Sequence, residues 1–350
     1  MQELKDRIKE LLASGEIDEV IGWKKGEFLY DEEPHIFKTA EEIDNDFVYD
    51  AFSAANVSKY LINETLKLQG PPPRRVPGQA PPQPDPNEKP KVIAALLKPC
   101  DTYSLNQLLT EHRVFRNHVL AVGIPCDGKV DIDKITAQGA KGVLSVKVEG
   151  DKVKVDTIYG EKEFAKEDVI LDRCKFCKGT KHVIADERIG CTEEEEVLYP
   201  EHSIERFDEV KKIEAMTSEE RYNFWMAQFS KCIRCYACRN VCPACSCRTC
   251  VFDNPDSNVS SKANTTTAEE QMFHIIRAFH VAGRCTDCGE CSRVCPQDIP
   301  LHLLNRKFIK DMDENYGEYQ AGEVEDQRAP LVNFTEHDIE PDVISDGGKA

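Results

Sequence analysis

Apolar residues recur at helical spacing from the start of the chain. Leu4, Ile8, Leu11 and Leu12 share one face and Gly15 follows as a stop signal, so an amphipathic helix opens the protein. Val20 to Trp23 and Glu27 to Tyr30 are short apolar runs around a Lys-Lys-Gly turn, which predicts a pair of strands. Thr39-Ala-Glu-Glu42 is a capping-box pattern, and a further helix is expected over Val57 to Leu68. Val92 to Leu97 and Val119 to Ile124 are unbroken apolar runs of strand length, joined through a helical pattern from Tyr103 to Glu111. They predict a βαβ unit, whose two strands end at Pro99-Cys100 and Pro125-Cys126 on the same rim. Leu144 to Val148 and Val153 to Ile158 largely alternate, as a half-exposed hairpin does.

The second half reads as helical. Thr217-Ser-Glu-Glu220 caps a segment with Tyr222, Trp225, Met226 and Phe229 at helical spacing, and Thr267-Ala-Glu-Glu270 caps another lined by Met272, Ile275, Ile276 and Phe279. Both stripes are expected to face the core, because aromatic and aliphatic stripes mostly pack. Asp298 to Leu304 leads into a closing helix. Gly70 to Pro90 is rich in Pro, which forces extended backbone, and is read as a long loop inside the first domain. The last thirty residues turn acidic and lose periodicity, as a disordered tail does.

Composition narrows the function. The formal charge of -18 leaves no phosphate-neutralising footprint, which argues against nucleic acid. No run approaches the roughly 18 apolar residues of a membrane span. The 350 residues accommodate two domains, and the polar start at Met1 together with 16 Cys is expected of a reducing, cytoplasmic compartment.

The cysteines carry the chemistry. Cys232, Cys235, Cys238 and Cys242-Pro243 form C-x2-C-x2-C-x3-C-P, and Cys285, Cys288, Cys291 and Cys295-Pro296 repeat it. This is the ligand run of a two-cluster ferredoxin, in which three close thiolates hold one 4Fe-4S cluster and the fourth serves its neighbour. The expected sets are therefore Cys232, Cys235, Cys238 with Cys295, and Cys285, Cys288, Cys291 with Cys242. Structural zinc sites normally present two Cys pairs, not two quartets closed by Pro. The helical interval between the runs makes residues 205–320 resemble the α-helical ferredoxin domain, found also in heterodisulfide reductase small subunits.

Asp172 to Cys177 adds a C-x2-C pair, Cys174 and Cys177, and Asp186 and Gly190 follow. With Pro99-Cys100 and Pro125-Cys126 these residues resemble the beta-subunit family of coenzyme F-420-reducing hydrogenases and formate dehydrogenases. The resemblance implies that Cys100, Cys126, Cys174 and Cys177 hold a third 4Fe-4S cluster beside a flavin, FAD. The acidic run Cys191-Thr-Glu-Glu-Glu-Glu196, read as a solvated loop, stands where a small Gly-containing segment is expected, and carboxylates repel a pyrophosphate. Cys191, Cys245, Cys247 and Cys250 remain, and as a fourth set they would hold a further cluster, a zinc ion or nothing. His302 reads as a lone surface residue.

The expected organisation is an α/β domain with an open, mostly parallel sheet over residues 1–204, a mainly helical dicluster domain over 205–320, and a tail over 321–350. The expected function is single-electron relay within a redox complex of formate dehydrogenase, hydrogenase or heterodisulfide-reductase type. The alternative is a flavin-containing catalytic subunit acting on the deazaflavin coenzyme or another hydride carrier. No acid-base or nucleophilic constellation appears in the sequence.

Overall fold

The computed structural model describes residues 1–69, 89–200, 205–254 and 267–330. The amino-terminal half is built on a six-stranded sheet. Strands β1 (Glu19–Lys25), β2 (Glu32–Phe37), β3 (Phe47–Val48), β4 (Ile93–Leu97) and β5 (Val119–Gly123) are followed by a separate antiparallel sheet of β6 (Val143–Glu149), β7 (Lys152–Thr157) and β8 (Gly160–Ala165). Strand β9 (Glu187–Arg188) then returns to the first sheet, whose order is β2-β1-β4-β5-β9 with β3 beside β1. The β1-β4, β4-β5 and β5-β9 pairs are parallel, while β2 and β3 join β1 antiparallel. Every residue of β4 is buried, which is why its sequence does not alternate.

The helix Gln2–Ser14 covers this sheet through Leu4, Ile8 and Leu11 and ends on Gly15 in the left-handed conformation, as the pattern predicts. The capping box at Thr39 forms, with Thr39 Oγ1 accepting from the Glu42 backbone and Glu42 accepting from Thr39. The second strand differs from the expectation. It lies at Glu32–Phe37, whereas Phe28 and Tyr30 are exposed and stack on each other with ring centroids 5.6 Å apart. Charge and Pro34 hide this edge strand from an apolar count. The helix expected over Val57 to Leu68 starts as a single tight turn at Ser58–Tyr60 and continues as Leu61–Gln69.

The carboxy-terminal half is helical: Asp208–Glu214, Ser218–Phe229, Ala237–Val241, Thr267–Val281, Glu290–Arg293 and Leu301–Tyr316. One of its helices, Thr267–Val281, turns a different face inward from the one its apolar stripe suggests, whereas Ser218–Phe229 packs Trp225, Met226 and Phe229 inward as expected. In Ser218–Phe229 Phe229 is buried, Trp225 and Met226 are partly so, and Tyr222 is 58% exposed. In Thr267–Val281 the exposed large apolar residues are Met272, Ile275 and Phe279, while Glu270, Phe273, His274, Arg277, Ala278 and Val281 are buried. A face that meets the cysteine loops has to supply charge and hydrogen bonds, so its polar residues go inside. The Thr267 side chain lies outside the described residues, and so does the loop expected at 70–90 apart from its last two residues.

The start of the expected tail packs. Tyr319, Gln320, Ala321 and Ala329 are buried, Asn106 Nδ2 donates to the Gly322 carbonyl at 3.0 Å, and the Tyr199 hydroxyl donates to Glu323 at 2.6 Å. Gly322 has φ 75° and runs so close to the helix Pro99–Thr110 that a Cβ there would sit 1.9 Å from the Tyr103 carbonyl oxygen. Gly322→Ala is therefore expected to detach residues 319–330, at a cost of at least about 1–2 kcal/mol. Limited proteolysis with mass spectrometry would show new cleavage in this segment, and an unchanged digest would contradict the packing.

Candidate iron-sulfur centre

The two ferredoxin-type loops share one backbone path. Between the first and second Cys, Arg234 (φ 52°) and Asp287 (φ 54°) occupy equivalent positions, and after the second Cys so do Tyr236 (φ 63°) and Gly289 (φ 68°). Left-handed backbone at a non-Gly residue costs on the order of 1–3 kcal/mol, so three such residues at matched positions mark a constrained cradle. The path turns backbone N–H groups toward sulfur. The Arg234 N–H donates to Cys232 Sγ at 3.4 Å, and the Asp287 N–H reaches Cys285 in the same way. Glu290 and Ser292 N–H groups do so for Cys288 and Cys291. Such N–H···S bonds favour the thiolate form.

The expected sets are brought together. Cys238 faces Cys235 and Cys295, and Cys232 faces Cys238. Cys242 lies near Cys285, Cys288 and Cys291, and near Cys238 as well, so the two runs stand side by side. In the amino-terminal half, Cys126 adjoins Cys100, Cys174 and Cys177. Cys100 stands in the first turn of the helix after β4, Cys126 follows β5, and Cys174 lies in the tight turn Asp172–Phe176. Burial pushes most of these thiols up, Cys285 and Cys291 to about 12, while their backbone donors oppose it. A tetrahedral zinc with sulfur at about 2.3 Å would draw thiols to about 3.8 Å apart. Among the described residues no three cysteines approach one another within 4.8 Å.

The surroundings fit an anionic group. Lys129 and Lys178 are buried next to Cys126 and Cys177 and reach only carbonyl oxygens, those of Asp50 and, at 2.8 Å, Thr286. Burial lowers both ammonium groups; Asp287 and then Cys100 and Cys177 oppose this at Lys178, and Cys126 with Asp50 and Glu32 at Lys129. Among the described residues neither ammonium is within ion-pair distance of a carboxylate, and a buried cation costs several kcal/mol unless an anion stands near it. Arg306 lies over the Phe176 ring at 4.6 Å and binds Asp287 at 3.1 Å, yet its Nη1 has no partner. Burial would raise Asp287, but Arg306, Arg206 and Lys178 hold its carboxyl well below the usual range.

His274 is the residue that sequence reading missed. It is 2% exposed, stacks on Phe229 with centroids 4.7 Å apart, and neither ring nitrogen has a hydrogen-bond partner. One of its nitrogens lies within 4.8 Å of Cys232 Sγ and of a Glu270 oxygen. Burial first, and then Arg277 and Arg234, lower its pKa to about 3, so it is a neutral donor. Cys232 Sγ and the Glu270 carboxylate are acceptors near the ring, and an imidazole N–H beside a thiolate tunes the charge on its sulfur. Its only sequence signal is its position, opposite Met272 and Ile275 on a helix between the two Cys runs.

Other expected residues fall elsewhere. Cys191 lies with His182 and Glu196, whereas Cys245, Cys247 and Cys250 line a cavity on the other side of the second cysteine run, so the fourth set is not assembled. The Cys245 thiol donates to Cys242 and lowers it. Glu196 is no part of a solvated loop: its side chain is 3% exposed and accepts from His182 at 2.6 Å and Arg188 at 2.9 Å. His302 is partly buried, with Nδ1 2.8 Å from the Ser292 hydroxyl beside Cys291. Asp186 Oδ2 accepts from the Ala121 backbone at 2.7 Å, and Gly190 packs on Pro125. These two residues hold the β5 rim in place.

Fold and site together define an iron-sulfur protein in which an α/β domain is joined to a helical dicluster domain. Residues 228–299 match the family described as 4Fe-4S dicluster domain. The chain is similar to the F420-dependent formate dehydrogenase subunit beta of Methanocaldococcus jannaschii, 23% identical over 70% of this chain and 77% of that one. It is 29% identical to the F420-dependent formate dehydrogenase 1 subunit beta of Methanococcus maripaludis over 33% of this chain and 29% of the relative. A chain of the F420-reducing NiFe hydrogenase complex from Methanosarcina barkeri aligns over 50% of this chain and 58% of its own, with a TM-score of 0.36 and 14% identity. The chain is thus similar to formate dehydrogenase beta subunits. No helix among the described residues is long and apolar enough to cross a membrane.

His274→Phe keeps the stack on Phe229 and removes the N–H. It is expected to lower the reduction potential of one cluster, because a donor to sulfur favours the more negative reduced state, while iron content stays unchanged. A redox titration followed by electron paramagnetic resonance reads both, and an unmoved potential would show that His274 does not act on the Cys232 sulfur.

Proposed function

We propose that this chain is the iron-sulfur electron-transfer subunit of an oxidoreductase complex of formate dehydrogenase, hydrogenase or heterodisulfide-reductase type. The carrying observation is that its three thiol sets are linked in a row by two buried guanidinium groups. Arg173 lies beside Cys100, Cys174 and Cys288 and donates to the Cys288 carbonyl at 3.0 Å. Arg277 lies beside Cys242, Cys291 and Cys238 and donates to the Cys238 carbonyl at 3.0 Å. The assigned ligands are Cys100, Cys126, Cys174 and Cys177 for the first site, Cys285, Cys288, Cys291 and Cys242 for the second, and Cys232, Cys235, Cys238 and Cys295 for the third. Bound 4Fe-4S clusters supply one-electron chemistry at potentials set by hydrogen bonds to sulfur and by exclusion of water.

The protein's part is to hold the sites together and insulate them. The second set is enclosed by the helix Thr267–Val281, the first by Tyr49 and Lys129, whose ammonium lies 3.9 Å over the Tyr49 ring. The third reaches the surface at Cys235, next to Ile233, which is 60% exposed. An opening there suits exchange with a partner, and the buried middle suits relay.

A second reading is favoured by one feature. A cavity of about 790 Å³ opens beside Cys126, Cys174 and Cys177, large enough for an isoalloxazine ring and placed where an FAD-bearing catalytic subunit would need it. Its lining holds Asp127, Asp151, Glu167 and Asp168 against Lys166 and Lys175, a poor setting for a pyrophosphate.

Cys235→Ala is expected to lose about four iron atoms and leave the amino-terminal site loaded, and Cys126→Ser to do the reverse. Iron analysis with paramagnetic resonance of anaerobically purified variants checks this, and loss of the wrong set of signals would overturn the assignment. Flavin released by acid separates the readings. None per chain with clusters intact supports relay alone, and about one per chain supports the catalytic subunit.

A further inference from the structure

The protein carries a cationic cavity of which the electron relay uses only Arg277, on the inner wall. It has a volume of about 470 Å³ and lies between the helix Leu61–Gln69, the loop after Cys242 and the carboxy-terminal end of the helix Thr267–Val281. In a chain of charge -18 its wall holds Lys59 and five Arg, with Asp253 as the one carboxylate. Asp253 pairs with Arg239 at 2.8 Å, and Glu111, from behind the wall, pairs with Arg284. Among the described residues no carboxylate lies within ion-pair distance of Lys59, Arg113, Arg248 or Arg277.

Two of these groups point to a ligand. Arg277 is 4% exposed and its Nε has no hydrogen-bond partner, and the Nε of Arg113 is buried and equally without one. A guanidinium held out of water with unmatched donors fits a bidentate oxyanion. The thiols on the wall do not fill that role. The wall holds three of them, Cys245, Cys247 and Cys250, one fewer than a cubane needs.

We propose that this cavity binds a small polyanion carrying phosphate or clustered carboxylate groups, seated between Arg113, Arg248 and Arg277. Its volume exceeds that of a single phosphate and is within the range of small-molecule sites. The proposal does not depend on the relay reading, because binding is measured without electron transfer.

The test is calorimetric titration of the full-length, cluster-loaded protein, without oxygen and at low salt, with inorganic pyrophosphate in one arm and citrate in the other. One-site binding of either is expected. Pyrophosphate alone identifies a phosphate-bearing ligand, and citrate alone a polycarboxylate. The variant carrying Arg113→Ala and Arg248→Ala should bind at least about ten-fold more weakly, with iron content unchanged because neither residue is a cluster ligand. Arg248→Glu, at an exposed position, should abolish binding even if the double variant folds poorly. Binding of neither anion, equal affinity in the variants, or about 16 iron atoms per chain, meaning a cluster in this cavity, would overturn the proposal.

Discussion

Everything in this molecule depends on pairing buried cations with buried sulfur. Arg173, Arg277, Lys129 and Lys178 are each nine-tenths or more removed from water. An isolated charge in such a place costs several kcal/mol even after relaxation, and a thiolate in the same place costs a comparable amount. Either alone destabilises the fold. Placed against each other, with N–H donors on the sulfur side, the two penalties offset. The same arrangement keeps water away from the sites, so the demand of stability and the demand of controlled potential have one solution.

This constraint explains the inverted helix. In Thr267–Val281, Arg234 from the first cysteine loop binds Glu270 at 2.8 Å and lies 4.6 Å over the Phe273 ring, one turn before Arg277 meets Cys242 and Cys238. A helix cannot offer Glu270, His274 and Arg277 to the sulfur sites and also bury Met272, Ile275 and Phe279, since the two rows lie on different faces. Buried electrostatics wins, because leaving charge unmatched costs more than the roughly 1.5–3 kcal/mol at stake in one exposed apolar side chain.

The same contest sets what can be read from the sequence. The two C-x2-C-x2-C-x3-C-P runs are legible because their ligand geometry is local: seven residues and two left-handed turns define each cradle, and Gly289 even marks one of those turns. The βαβ unit that brings Cys100 and Cys126 to one rim is legible because β4 and β5 are wholly apolar. The face of Thr267–Val281 was misread, since apolar periodicity assumes a greasy core and here the core is sulfur and charge. The grouping of Cys191 with Cys245, Cys247 and Cys250 was arithmetic, and nothing local links Cys191 to the rest. Glu196 illustrates the converse: within a run of identical residues, only the fold decides which one His182 and Arg188 will claim.

The joint between the two halves follows from the same chemistry. Arg173 belongs to the α/β domain by sequence, adjoining Cys174, yet it pairs with Glu290, donates to the Cys288 carbonyl and also reaches the Ala54 carbonyl. Glu290 is fully buried, and although burial opposes it, Arg173 and Arg293 hold its carboxyl down at about 2. Lys178 crosses in the same direction to the Thr286 carbonyl, and the Ser104 and Thr286 hydroxyls meet at 3.0 Å. Beside the Asn106–Gly322 and Tyr199–Glu323 contacts, the halves are thus joined by residues adjacent to cysteine ligands. Electron transfer falls steeply with distance, so a joint built from the residues flanking the sites fixes the gap between them directly. A hinge elsewhere in the chain could move the surrounding helices without opening that gap, because the bonds that would have to break first are the ones that hold the two cysteine loops together.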